Sequence, residues 1–150
     1  MTIRFAYLIA LIFVFQGILH AQLPVRGKNL FQSHFNPIPL RAKDSQPSTF
    51  QLPRRDLQGY KRDSVQLYKA ISLLEKGEAK LALPILLNLT QKMQYTVANA
   101  SEWYLAMAYL ALEKRPQAEY LLLKIADTEI HPYQDESEVV YQKLIGMRSR

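Results

Sequence analysis

At 150 residues the chain is sized for one domain, and its 49% hydrophobic share is ordinary for a sequence that folds. The absence of cysteine excludes a disulfide framework and a thiolate metal site, and leaves the redox compartment open. The formal charge of +6 is unevenly laid out: residues 22–62 hold eight Lys/Arg against two Asp/Glu, and residues 63–150 hold ten against eleven. The basic character therefore belongs to a segment ahead of the folding part.

The chain opens "MTIRFAYLIALIFVFQGILHAQLP", with Arg4 as a short positive start, an apolar run from Phe5 to Phe15 and a polar break at Gln16–Gly17. This order is that of a secretory signal, and a small residue at Ala21 predicts cleavage between Ala21 and Gln22. Leu19 is bulkier than the residue such sites prefer. The second reading is an uncleaved anchor. A spanning helix needs about 20 apolar residues, and Ile3 to Ala21 nearly reaches that length if Gln16 and His20 are tolerated. Arg4 then keeps the short end in the cytoplasm. Under both readings the remainder is expected to be exported, periplasmic or in the cell envelope.

Residues 22–62 scatter Pro24, Pro37, Pro39, Pro47 and Pro53 among Ser, Gln and basic residues without a sustained apolar period, which predicts an extended linker. One island, "NLFQSHFNPIPL", carries Leu30, Phe31, Phe35, Ile38 and Leu40, which are apolar enough to dock on the following domain. The basic pairs Arg54–Arg55 and Lys61–Arg62 suit phosphates or lipid head groups. Scattered linker charge also serves solubility, and export argues against nucleic acid.

From Asp63 the period becomes helical. Leu67, Ala70, Ile71 and Leu74 recur three and four apart, giving one apolar face. Asp63 or Ser64 is the expected cap at its start, and Gly77, able to take left-handed geometry, ends it. A second helix follows from about Glu78, and Pro84 within it implies a later start or a bend. The pattern then repeats: Ala106 and Tyr109 stand where Ala70 and Leu73 stood, and Ala118 lies 36 residues after Ala82. The uncharged stretch "WYLAMAYLAL" at 103–112 opens this second unit. It is too short to span a bilayer, and its Ala, Leu and Met content favours helix over strand.

With "DSVQLYKAISLLEKGEAKLALPILLNLTQ" followed by "ASEWYLAMAYLALEKRPQAEYLLLKIADT", residues 63–127 resemble two tetratricopeptide repeats, whose period is near 34. The tail "IHPYQDESEVVYQKLIGMRS" resembles the helix that closes such arrays, with Pro132 suited to its first turn. The whole order is similar to exported or membrane-tethered bacterial tetratricopeptide proteins. Lys69 at a usually apolar position, the missing glycine of the second turn and Ile125 at a usual Ala position depart from the pattern. The resemblance implies an all-α fold of two hairpins plus a C-terminal capping helix. The expected boundaries are 1–21 for the signal or anchor, 22–62 for the linker and 63–150 for the helical domain.

Enzyme chemistry fails on inventory. There are three His, no Cys and five Gly, and HExxH, GxSxG and a phosphate-cradling loop are all missing. The acidic "DESE" at 135–138 complements a helix N-terminus more simply than it binds a cation. No catalytic residue, metal or cofactor is expected. The resemblance places partner-facing positions at Leu67, Ile71 and Leu74 in the first hairpin and Trp103, Met107 and Leu110 in the second. Spacings of four and then three put the latter set on one stripe, suited to a protein or peptide partner. The simpler reading packs that stripe on the linker island or the closing helix. The function expected is an exported interaction module; the alternative is a membrane-anchored accessory protein whose N-terminus and basic linker form the working part.

Overall fold

Residues 26–37, 54–92 and 95–147 are described in the computed structural model of the chain, where they form six helices and no strand. These are α1 (Arg26–His34), α2 (Arg54–Glu75), α3 (Ala79–Leu89), α4 (Tyr95–Ala111), α5 (Arg115–Ala126) and α6 (Gln134–Gly146). Helices α2 to α6 pack in chain order as α2/α3 and α4/α5 hairpins followed by α6. Contact between α2 and α4 stacks one hairpin on the next, while α1 lies across α4 and α6.

The two hairpins turn by the same device. At the first turn the Gly77 N–H donates to the Leu74 carbonyl at 3.0 Å and the Glu78 N–H to Leu73 at 2.8 Å. At the second, the Glu113 N–H donates to Leu110 at 3.1 Å and the Lys114 N–H to Tyr109 at 2.9 Å. Every donor and acceptor is displaced by 36 residues, so the spacing read from Ala82 to Ala118 is a register of hydrogen bonds as well as of side chains. Both turns close through a left-handed residue, Gly77 at φ 77° and Glu113 at φ 57°.

Each packed pair carries a fully buried alanine on both of its helices: Ala70 and Ala82 in the first, Ala106 and Ala118 in the second. Small side chains there allow axes to approach to about 8–10 Å. Leu67, Leu74, Leu86 and Leu89 complete the first hairpin's share of the core, and Leu110, Leu122 and Ile125 the second's. Helix α4 is enclosed on nearly all sides, with Trp103 through Ala108 all buried, because α1, α2, α3 and α5 each cover part of it. An all-apolar stretch ten residues long is thus the centre of a stack.

Three local expectations change. The region 22–62 was expected to be an extended linker, but its described residues include α1 and the first nine residues of α2. Arg54–Arg62 carries no apolar stripe to announce a helix; adding turns to the end of an existing helix costs little once that helix is nucleated. Asp63 and Ser64 therefore lie inside α2 and cap nothing, and Asp63 is buried on the helix's inner stripe, accepting from Arg62 Nε at 3.3 Å. Pro84 sits inside α3 instead of near its start; Pro84 and Lys80 are both exposed, so the carbonyl that proline deprives of a partner lies on the watered side.

The closing helix begins after Pro132, with Tyr133 as its flanking residue and Asp135 and Glu136 in its first turn. It is pinned to α5 by Ser137 Oγ donating to the Leu122 carbonyl at 2.9 Å and by Gln134 Nε2 donating to Ala126 at 3.0 Å. Arg115 reaches back to the Leu144 carbonyl from the other end. The segment 1–21, with the expected cleavage at Ala21–Gln22, lies outside the described residues, among which no helix is long and apolar enough to cross a membrane.

Candidate functional site

Helices α2, α4 and α6, the first of each hairpin and the closing helix, occupy equivalent places in the stack, and α1 is seated on two of them, α4 and α6. It runs antiparallel to α4, its first turn beside Leu110 and Glu113 and its end beside Tyr104. Three apolar side chains face inward. Leu30 is buried, while Phe31 and Phe35 pack partly buried against the core, with their own rings 4.8 Å apart. Phe35 meets the ring of Tyr104 edge-on at 6.1 Å. Lys28, Asn29, Gln32 and Ser33 form the solvent side.

Both ends of α1 are held by polar groups of α4 and its turn. Glu113 Oε1 accepts the Lys28 N–H at 2.7 Å, placing a carboxylate at the positive end of the helix. The Glu113 backbone is left-handed, a conformation glycine usually supplies. Gly27 lies so near that a Cβ there would meet the Leu110 carbonyl oxygen at 3.0 Å and the Glu113 carboxylate at 3.2 Å. At the other end the Tyr104 hydroxyl donates to the Asn36 carbonyl at 2.7 Å.

His34, at the last turn of α1, lies 3.0 Å through Nε2 from Lys143 Nζ of α6. Burial, and then the neighbouring Lys143 ammonium, lower its pKa from the ordinary 6.5. The neutral ring accepts from the ammonium, whereas a protonated ring would set two cations together.

The six positions expected to face a partner are all core. Leu67, Ile71, Leu74, Trp103, Met107 and Leu110 are none of them more than 3% exposed. Trp103 stacks flat on Tyr133, centroids 5.4 Å apart and planes within 3°, beneath the segment leading into α6. A stack of two hairpins has too little interior to leave a whole first-helix stripe uncovered. The island seen in the sequence covers part of α4: Leu30, Phe31 and Phe35 dock there, while Ile38 and Leu40 lie outside the described residues.

A second depression of about 530 Å³ opens between α3, α4 and α5, walled by Leu87, Leu105, Tyr109 and Leu121 with Tyr120 at its rim. One end carries a row of polar groups in which Lys124 Nζ meets Glu102 Oε1 at 2.6 Å and His131 Nε2 stands 3.9 Å from Glu102 Oε2. These residues come from α4, α5 and the loop before α6, so no local motif signalled them. Among the described residues no group of three or more metal-ligating side chains occurs.

The chain matches no family model, no curated protein and no solved structure.

Proposed function

We propose that the protein is an exported, non-enzymatic adaptor that binds a protein or peptide partner through its tetratricopeptide-like hairpin stack. The observation that carries this reading is the seating of α1. The face made by α4 and α6 already accommodates a short amphipathic helix, gripping three apolar side chains and a polar group near each end. This is the helix-on-groove mode by which helical scaffolds take peptide ligands. The apolar opening at residues 1–21 supports export, and export argues against a nucleic-acid partner.

The test is partner capture in the envelope, with a photoreactive residue at exposed Lys143 on α6, beside the end of α1, and a second at exposed Tyr120 beside the other depression. A discrete cross-linked partner from either position is the expected result. Cross-links absent from both positions, with the protein folded and exported, would sink the adaptor reading.

The alternative is a membrane-anchored accessory protein, favoured by one observation: Arg54, Arg55, Lys61 and Arg62 occupy positions seven apart along a single continuous helix, α2. Replacing all four is expected to weaken adsorption to anionic vesicles on this reading. Unchanged adsorption would remove it. Intact mass of the fractionated protein decides the N-terminus, with a soluble form beginning at Gln22 supporting secretion and a membrane-retained form keeping Met1 supporting the anchor.

A further inference from the structure

We propose that α1 is a built-in, exchangeable ligand of the α4/α6 face, and that the partner of this face presents a helix of the same chemistry: small and non-acidic in its first turn, with Leu-Phe and a second aromatic four residues on. This inference rests on the adaptor reading and specifies its partner. The chain's own segment supplies the specification.

Each requirement comes from a contact. Gly27 approaches the Leu110 carbonyl so closely that a Cβ there lies at 3.0 Å, which demands the smallest residue at that point. The Glu113 carboxylate takes the Lys28 N–H at 2.7 Å, so a free backbone donor is required and an acidic residue beside it is repelled. The first turn of α1 accordingly contains no acid. Leu30 is the buried anchor, and the Phe31 and Phe35 rings lie tilted against one another with Tyr104 edge-on to Phe35. The Asn36 carbonyl then receives the Tyr104 hydroxyl. Lys28, Asn29, Gln32 and Ser33, all exposed, make no such demand and are open to variation.

Exchange is physically reasonable for two reasons. A helix of nine residues is too short to persist alone in water, so it orders only as it docks, and the face accordingly binds a segment that folds onto it. Sixteen residues, 38–53, separate the end of the docked segment from α2, so α1 is joined to the rest of the stack by the chain itself. The tether gives α1 a high effective concentration, so a separate partner binds in competition with it and weakly until α1 is dislodged.

The test uses a labelled peptide of residues 26–37 titrated by fluorescence anisotropy into the full-length protein and into two full-length variants, Gly27→Val and Leu30→Glu. Both substitutions lie in the segment itself and leave α2 to α6 untouched. The expected result is that the peptide binds the variants at least tenfold more tightly than wild type. The same peptide carrying Gly27→Val, or Glu in place of Lys28, should bind them at least tenfold more weakly. Failure of the peptide to bind a variant that retains wild-type circular dichroism would overturn the proposal. So would loss of helical signal in both variants, which would make α1 part of the core. If undocked variants or wild type form dimers that excess peptide dissolves, the occupant is a second copy and the foreign-partner claim falls. Peptide exchange absent while Tyr120 still cross-links a partner would remove this inference and leave the adaptor reading standing.

Discussion

Gly77 and Glu113 hold the same place in successive hairpins, with the same pair of closing hydrogen bonds and the same left-handed backbone. At Gly77 the conformation is nearly free and the surroundings are empty, with nothing within 4 Å of where a Cβ would stand. At Glu113 the same conformation costs roughly 1–2 kcal/mol for a residue with a side chain. In return its carboxylate meets the first turn of α1. The first turn only reverses the chain, whereas the second also receives another segment. The hairpins around them differ likewise. The first leaves Val65, Tyr68, Leu81 and Leu87 exposed; the second still exposes Tyr120 and Leu123 but is covered by α1 on one side and by α6 on the other.

The largest test of this contrast is Trp103→Ala. Removing a buried indole stacked on Tyr133 is expected to cost about 3–5 kcal/mol, read as a lowered thermal midpoint with helical signal lost at milder temperature. Stability within 1 kcal/mol of wild type would mean that the second hairpin is not the enclosed one. Next comes Gly77→Ala, which meets no atoms and isolates the backbone term. A loss of about 1 kcal/mol in denaturant unfolding is expected, and a gain would show that the turn relaxes out of left-handed geometry.

Glu113→Gly separates the two jobs of the second turn. Global unfolding should stay within about 1 kcal/mol of wild type or improve as strain is relieved. Meanwhile the Lys28 amide should lose hydrogen-exchange protection. Preserved protection at Lys28 would mean that Glu113 does not hold α1. The smallest effect concerns pH. Because the docked state lowers the His34 pKa, docking binds protons less readily than the released segment. Its contribution is fully present above the ordinary value of 6.5 and is lost as pH falls through the lower docked value. Amide exchange in α1, corrected for intrinsic rate, should therefore quicken relative to that in α4 on going from neutral to mildly acidic buffer. Replacing Lys143 by Met should shrink that difference.

Much of the stack was legible from residues near one another in the chain. Leu67, Ala70, Ile71 and Leu74 announced a helix face, Gly77 announced its end, and the Ala82 and Ala118 pair announced the repeat. The candidate site was legible only in part. "NLFQSHF" stood out as a segment able to dock, but nothing in a stretch bounded by prolines and basic residues announced a helix. The start of α2 at Arg54 was hidden for the same reason, since extension of an existing helix leaves no amphipathic trace. Trp103, Met107 and Leu110 were correctly placed on one apolar stripe, yet a stripe has the same period whether it meets a partner or the interior.

What the sequence alone determined is therefore local: an all-α chain, hairpins repeating every 36 residues, and a turn at each place where the apolar period breaks. These follow from side-chain period and backbone preference, which neighbouring residues impose on one another. Only the tertiary structure decided what covers α4, that Glu113 serves α1, and that Trp103 belongs to the core. The deciding contacts join residues 85 apart, as from Lys28 to Glu113, and 68 apart, as from Tyr104 to Asn36. Contacts at that separation leave no period to read, because they depend on which of several apolar surfaces meet when the stack closes.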